Sequence, residues 1–331
     1  MNNISLEPLN AGAAVNPRSQ RKKEKLERVR IGISSRLLGE RVRFDGGHKR
    51  DAFLADMFGR HVEWVPVCPE FEMGLGVPRE TLRLVVNDGR VRLVAPRTGA
   101  DHTDRMKSWA EHRIEQLAKL DLCGYVFKRA SPSCGLQRVK VYRNTGLLHR
   151  DGTGLYASAV IERFANLPVE EEGRLNNPRL RENFVSCVFS YKRWLDFGAR
   201  RPTRAAFMRY HAHHKFLLMS HSQAGVRTLG NLVAAGTEYF VAFCEVMRRI
   251  PTRRNHTNVL QHLSGYFSKQ LDSSDRAELA ELIESYRRGL IPLIVPVTLI
   301  RHYVRKYEVT YLEDQVYLNP HPDELMLLNE L

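Results

Sequence analysis

The chain has 331 residues, and its 51 lysines and arginines outnumber its 37 aspartates and glutamates, so its formal net charge is +14. Its hydrophobic share of 43% excludes a chain that is disordered throughout, and no run approaches the roughly 20 apolar residues of a membrane span. The excess of positive charge favours a polyanionic partner, of which nucleic acid is the commonest.

The N-terminal segment, residues 1–27, is polar and ends in a basic run from Arg18 to Lys25. This composition predicts a flexible basic tail. The five cysteines of the chain are odd in number and irregularly spaced, which argues against a disulfide framework. They favour a reducing compartment, so we expect a cytoplasmic protein.

Strand and helix patterns alternate between residues 28 and 167. Apolar alternation predicts strands over 29–34, 61–67, 82–86, 90–94, 122–128 and 139–142, and helical periodicity predicts helices over 51–60, 101–119 and 154–164. The Asn87-Asp88-Gly89 turn is typical of a hairpin. This alternation predicts an α/β domain with a mostly parallel, Rossmann-like sheet.

The composition changes at Pro168, and no convincing strand is found after it. Helices are predicted over 177–194, 203–220, 223–235, 237–249, 255–271, 274–286 and 291–307, the last with a possible kink at Pro296. Residues 168–331 are therefore predicted to form an all-α helical domain.

Three turn segments at the ends of predicted strands carry most of the reactive side chains of the first domain. They cover residues 32–51, 67–80 and 128–135. Ligands of an open parallel sheet collect beyond the carboxyl ends of its strands, so the segments converge on one crevice if their strands are neighbours. Cys68 and Cys134 lie in them beside a proline or a glycine. That setting suits a thiolate ligand of a soft metal, and an ordinary buried thiol is the alternative.

These segments contain motifs in a fixed order. They read Ser34-Ser-Xaa-Leu-Leu-Gly with Val42-Arg-Phe-Asp-Gly-Gly-His-Lys-Arg, then Val67-Cys-Pro-Glu before Gly74-Leu-Gly-Val-Pro-Arg-Glu, then Ser131-Pro-Ser-Cys-Gly. This set resembles the thiouracil desulfidase (TudS-like) domain, over roughly residues 28–165. In the second half, the run from Tyr210 to Ser222 with Arg227-Thr-Leu-Gly-Asn resembles the YbgA-type helical domain that is often fused behind it.

The resemblance implies removal of sulfur from 4-thiouridine in tRNA at a [4Fe-4S] cluster that three cysteines hold, one from each segment. The open fourth iron binds the sulfur, and water replaces it without net redox change. Cys68 and Cys134 match the second and third ligand positions. At the first position, where the family has cysteine, this sequence has Arg36. A guanidinium offers iron no lone pair, so Arg36 is either inactivating, or kept in a paralogue that binds without chemistry, or compensated by another ligand.

Other residues of these segments are candidates for proton chemistry and substrate contacts. Glu70 and Asp45 are predicted acid–base or orienting groups, with capping or pairing to a nearby cation as the alternative. Ser133 and Ser131 are predicted to donate to the sulfur or the base, or else to shape the turn around Pro132.

The cations of the first segment are predicted to bind substrate. Arg43, Lys49 and Arg50 form a basic loop edge suited to phosphates, with a merely solvated face as the alternative. Arg36 itself is suited to a phosphate or to the edge of a nucleobase.

In the second half, His211, His214 and His221 fall close to one helical stripe, which suits packing or RNA contact better than a metal, because no carboxylate or cysteine joins them. Tyr286 and Tyr303 stand among arginines and lysines. This mixture suits RNA stacking, and a core helix with a solvated basic face is the alternative.

The leading hypothesis from the sequence is a desulfidase for thiolated pyrimidine, 4-thiouridine in tRNA, whose activity Arg36 puts in question. The rival is a non-catalytic RNA- or nucleotide-binding protein that has lost the cluster. A third possibility is a helical interaction module joined to an inert α/β domain, which predicts no salt-dependent RNA binding.

Overall fold

The computed structural model describes residues 29–143, 146–233, 237–325 and 327–329, so the predicted basic tail lies outside the described residues. The strands are β1 (Arg30–Ser34), β2 (Glu63–Val67), β3 (Arg83–Asn87), β4 (Arg90–Val94), β5 (Gly124–Phe127), β6 (Val139–Arg143), β7 (Gly146–Gly152) and β8 (Val169–Glu171). Within the described residues they form two four-stranded sheets.

The first sheet is parallel throughout and has the order β2-β1-β5-β8. Its central strand β1 is buried, and Ile31 pairs with Trp64 of β2 on one side and with Gly124 of β5 on the other. The second sheet is mixed, with the order β4-β3-β6-β7, and only β3 and β6 run parallel in it. The predicted α/β class with a mostly parallel sheet is confirmed.

Two strands were not predicted. β8 contradicts the expectation that no strand follows Pro168: it pairs with β5 at the edge of the first sheet. It has three residues, and two of them, Glu170 and Glu171, are acidic, so it lacks the apolar pattern by which a strand is recognised. β7 is exposed along most of its length, and its only two apolar side chains are adjacent leucines, so it also lacks the alternating pattern of a predicted strand.

Helices cover both faces of the first sheet. On one face lie α1 (Thr103–Ala118) and α2 (Leu155–Arg163), which share a core with Tyr125 of β5. On the other face lie a π-helical turn over Phe53–Met57, a 3-10 turn over Phe58–Arg60, and the first long helix of the C-terminal half. The predicted helix over 51–60 is thus two irregular turns.

The C-terminal half is helical. Its helices are α3 (Pro178–Gly198), α4 (Arg204–His221), α5 (Gln223–Leu232), α6 (Thr237–Met247), α7 (Arg253–Gly265), α8 (Ser273–Arg288), α9 (Ile294–Lys306) and α10 (Thr310–Glu313). Phe184 and Val188 of α3 pack with Ile31 and Ile33 of β1, so the two halves share one hydrophobic cluster. No described helix is long and apolar enough to cross a membrane.

The helices begin where the sequence provides caps. The side chains of Asn177, Thr203, Ser222, Thr252 and Asp272 each accept a backbone N–H in the first turn of a helix. The kink expected at Pro296 is absent from α9, because the helix begins at Ile294 and the proline lies in its first turn. A proline there removes no N–H that the helix needs.

Two buried histidines of α4 are expected to make the helical half acid-sensitive. Burial lowers the pKa of His214 to about 3 and that of His221 to about 4, whereas the histidines of an unfolded chain titrate near pH ~6.5. The unfolded chain therefore binds more protons, and the free energy of unfolding falls as the pH drops from ~6.5 towards 4, by about 1.4 kcal/mol per pH unit for each histidine. Urea denaturation along a pH series measures this.

In that series, His221→Gln is expected to weaken the pH dependence, and His302→Gln, at an exposed position of α9, is the control that alters no buried imidazole. A free energy of unfolding that stays constant from neutral pH to pH ~4 contradicts the prediction.

Candidate functional site

The three turn segments do converge, because the strands that precede them are neighbours. β1 lies between β2 and β5, so the segments after these strands leave the same edge of the first sheet. The first and third segments are also tied directly, since the N–H of Lys128 donates to the Oγ of Ser34 over 3.0 Å. This juxtaposition, expected only if the strands were adjacent, is what brings the reactive side chains together.

The carboxylate of Glu70 is the centre of the cluster. It accepts from Arg36 over 2.7 Å and from Arg79 over 3.1 Å, and the hydroxyls of Ser133 and Ser131 donate to its other oxygen over 2.6 and 3.3 Å. All these groups are buried or nearly so, with 12% of the Arg36 side chain and 6% of the Glu70 side chain exposed. The alternative of ion pairing predicted for Glu70 is confirmed, with Arg79 as one partner.

These contacts keep the pair ionised. Burial alone raises the pKa of Glu70, but Arg36, Ser133 and Arg79 outweigh it and hold that pKa below its usual range. Burial likewise lowers the pKa of Arg36, but the charge of Glu70 opposes this effect, and that pKa lies above its usual value. The site therefore contains a buried ion pair at the position where the family has its first cysteine.

Cys68 and Cys134 flank this ion pair and are protonated. The Sγ of Cys68 lies 3.8 Å from the Oε2 of Glu70. Burial first, and then the charge of Glu70, raises the pKa of both thiols, although Arg36 acts in the opposite direction. The cysteines at 123, 187 and 244 are free and buried in the cores.

The [4Fe-4S] cluster that the resemblance implies does not fit the side chains present. Three thiolates are required, and the segments supply two cysteines and the guanidinium of Arg36, which has no lone pair for iron and is already bound to Glu70. In the described part of the chain, no three His, Cys, Asp or Glu side chains are placed to hold a metal ion. As it stands, this chain does not provide the ligand set of the cluster.

The remaining predicted residues lie on the exposed edge of the first segment. Asp45 pairs with Arg43 over 3.1 Å and accepts the N–H of Gly47 over 3.0 Å, so its contacts are those of a turn and an ion pair. Arg50 pairs with Asp56. Lys49 is exposed, and its N–H donates to the carbonyl of Arg36. Their predicted roles toward substrate stay predictions, but the structure does not place these side chains in the Glu70 cluster.

Two groups of the site were missed at the sequence level. Glu171 of β8 accepts the N–H groups of Leu136 and Gln137, and Glu172 pairs with Lys128, so the end of β8 braces the segment that carries Cys134. The sequence did not indicate these contacts, because a run of glutamates before a helix has the acidic composition of an ordinary linker.

The histidines of α4 have three different partners. The Nδ1 of His211 forms a hydrogen bond with the hydroxyl of Tyr239. The Nδ1 of His214 donates to a carbonyl of its own helix, and the Nδ1 of His221 donates to the carbonyl of Arg249. The packing interpretation is therefore the one the structure supports. Tyr286 and Tyr303 are 5% and 3% exposed, so the predicted RNA-stacking surface is wrong and the alternative of core aromatic residues is right.

Both halves of the chain match known families. Residues 31–172 match the family model described as 2-thiouracil desulfurase, and residues 215–322 match the one described as a protein of unknown function, DUF1722. The uncharacterized protein YbgA of Escherichia coli (strain K12) is 37% identical in an alignment of 130 residues that covers 36% of this chain and 77% of YbgA. A solved structure, the [4Fe-4S]-dependent thiouracil desulfidase TudS, is 26% identical, with a TM-score of 0.37, over 46% of this chain and 96% of TudS.

These matches divide the chain as the fold does. The α/β part is desulfidase-like, since the 2-thiouracil desulfurase model spans β1 to β8, and the helical part is YbgA-type. With 37% identity over 77% of the E. coli protein, this chain belongs to the YbgA family.

Proposed function

We propose that this chain is an RNA-binding protein of the desulfidase type that binds tRNA without removing sulfur from it. The observation that carries this proposal is the ion pair between Arg36 and Glu70. It occupies the position of the first ligand cysteine and satisfies a carboxylate that would otherwise be buried without its full set of partners. Because Arg36 neutralises a buried carboxylate of the site, its presence favours a protein that has lost the cluster.

The proposed partner follows from charge and from the family. The net charge of +14 favours a polyanion, and the matched model is named for a thiolated pyrimidine. A tRNA that contains 4-thiouridine combines both features, because it presents a thiolated base on a phosphate backbone.

The second candidate is the reaction of the family, exchange of C=S for C=O in 4-thiouridine of tRNA. Water supplies the oxygen, hydrogen sulfide leaves, and no electrons are exchanged. It is favoured by the site around position 36, where Cys68, Cys134, Glu70, Ser131 and Ser133 are all held together. The catalytic roles predicted for Glu70, Ser133 and Asp45 belong to this candidate. This reaction requires a third ligand for the cluster besides Cys68 and Cys134, either another residue or a small molecule.

Incubation of the full chain with tRNA that contains 4-thiouridine, without oxygen and with iron and sulfide supplied, separates the two candidates. We expect the tRNA to bind and its 4-thiouridine content to remain constant, as measured by nucleoside chromatography. Loss of 4-thiouridine under multiple turnover overturns the proposal in favour of the enzyme, and absence of any tRNA binding overturns it in favour of a protein-interaction module.

A further inference from the structure

A groove of about 730 Å³ lies beside the Glu70 cluster on the α/β part. One wall is the second sheet, with Arg83 on β3, Lys140 on β6 and Arg150 on β7. The other wall is the segment after β5, with Arg129 and Arg138. All five of these cationic side chains are exposed.

The charge of the groove is almost entirely of one sign. In the part of the chain that the structure describes, none of these five cations has an ion-pair partner, whereas a sixth, Arg174, is bound to Glu170. The acidic residue in the lining is Glu171, and its carboxylate already accepts two backbone N–H groups. Unpaired cations collected in a concave surface concentrate the field that attracts an anionic chain.

The groove and the cluster share one segment. Arg129 and Pro132 line the groove, while Ser131 and Ser133 of the same turn donate to Glu70. The three strands β3, β6 and β7 are adjacent, so their cations are spread over about 10 Å across the sheet, a width that reaches successive phosphates of one strand. Arg83 also lies over the Tyr142 ring, 4.8 Å from its centroid, and pairs of this kind recur where bases stack.

From this arrangement we infer that the groove binds the sugar–phosphate backbone of the RNA, so that tRNA docks on the α/β part along the second sheet. The inference rests on the proposed function for its partner. It differs from the expectation that the helical half docks RNA through Tyr286 and Tyr303, because those rings are buried.

The test measures binding of a fluorescent, unmodified tRNA transcript to the full chain by anisotropy, over a rising series of KCl concentrations. Lys140→Ala combined with Arg150→Ala is expected to weaken binding about tenfold and to lower the slope of log K against log salt by about 1.5, since each phosphate contact contributes about 0.7–0.9. Arg129→Ala, on the opposite wall, is expected to act in the same direction.

The matched control is Lys107→Ala with Lys119→Ala, which removes the same charge from two exposed positions, one within α1 and one just beyond its end, outside the groove. Normal binding by the groove variants, or an equal loss in the control pair, overturns the inference and leaves the proposed function intact. Competition by polyglutamate as effective as that by tRNA overturns it in favour of an acidic protein partner. Loss of sulfur from 4-thiouridine overturns the proposed function and leaves the groove intact, so the two failures are distinguishable.

Discussion

An Arg36→Cys variant is expected to bind a [4Fe-4S] cluster on anaerobic reconstitution, with about four irons per chain, whereas the unaltered chain is expected to bind none. The substitution removes a guanidinium that interacts with both thiols and puts a third thiol in its place. Glu70 keeps Arg79 and both serines as partners, so the carboxylate remains paired. Iron and sulfide analysis with the visible absorbance spectrum measures the outcome, and 4-thiouridine loss from tRNA reports whether the family reaction returns.

Arg36→Ser is the matched control for this variant, because serine has the size of cysteine but no thiolate to offer iron. We expect it to behave like the unaltered chain. If the unaltered chain carries iron and sulfide at the same stoichiometry as Arg36→Cys, another ligand completes the cluster and the interpretation of Arg36 as its replacement is wrong.

Local patterns in the sequence were sufficient for the strands and turns that form the site. β1, β2 and β5 are short runs rich in apolar residues, and serine, proline or glycine follows each of them within a few positions, so their existence is indicated by nearby residues. Nearby residues do not indicate which strands are adjacent, because strand order depends on contacts between distant segments. β8 illustrates this: its pairing with β5 is set by register and backbone hydrogen bonds, to which Glu170 and Glu171 give no apolar signal.

The charges of the site were the hardest feature to predict. A glutamate next to a proline is normally a surface residue, and burial of Glu70 depends on Arg36, which lies 34 positions earlier. Burial was also the feature that the sequence did not predict for Tyr286 and Tyr303. Their basic neighbours suggest a surface, yet the two faces of a helix differ every few residues, and both rings point into the core.

The free energy of unfolding should depend strongly on Glu70. Glu70→Gln preserves the size of the side chain but leaves Arg36 and Arg79 buried without a counter-charge. Breaking a buried ion pair by removing one partner costs about 3–5 kcal/mol. Equilibrium denaturation in guanidinium chloride measures the loss. Glu63→Gln is the control, because Glu63 pairs with Arg30 on the surface and such pairs contribute below about 1 kcal/mol.

A double variant tests whether the cost arises from the unpaired cations rather than from a change of shape. Arg36→Met combined with Glu70→Gln removes one of the two stranded charges, while Arg79 still donates to the carbonyls of Val42 and Gly76 over 2.9 and 3.0 Å. The double variant should therefore be more stable than Glu70→Gln alone, since coupled residues of one network are not additive. A Glu70→Gln loss no larger than that of Glu63→Gln, or a double variant less stable than the single one, would mean that the ion pair at position 36 does not stabilise this site.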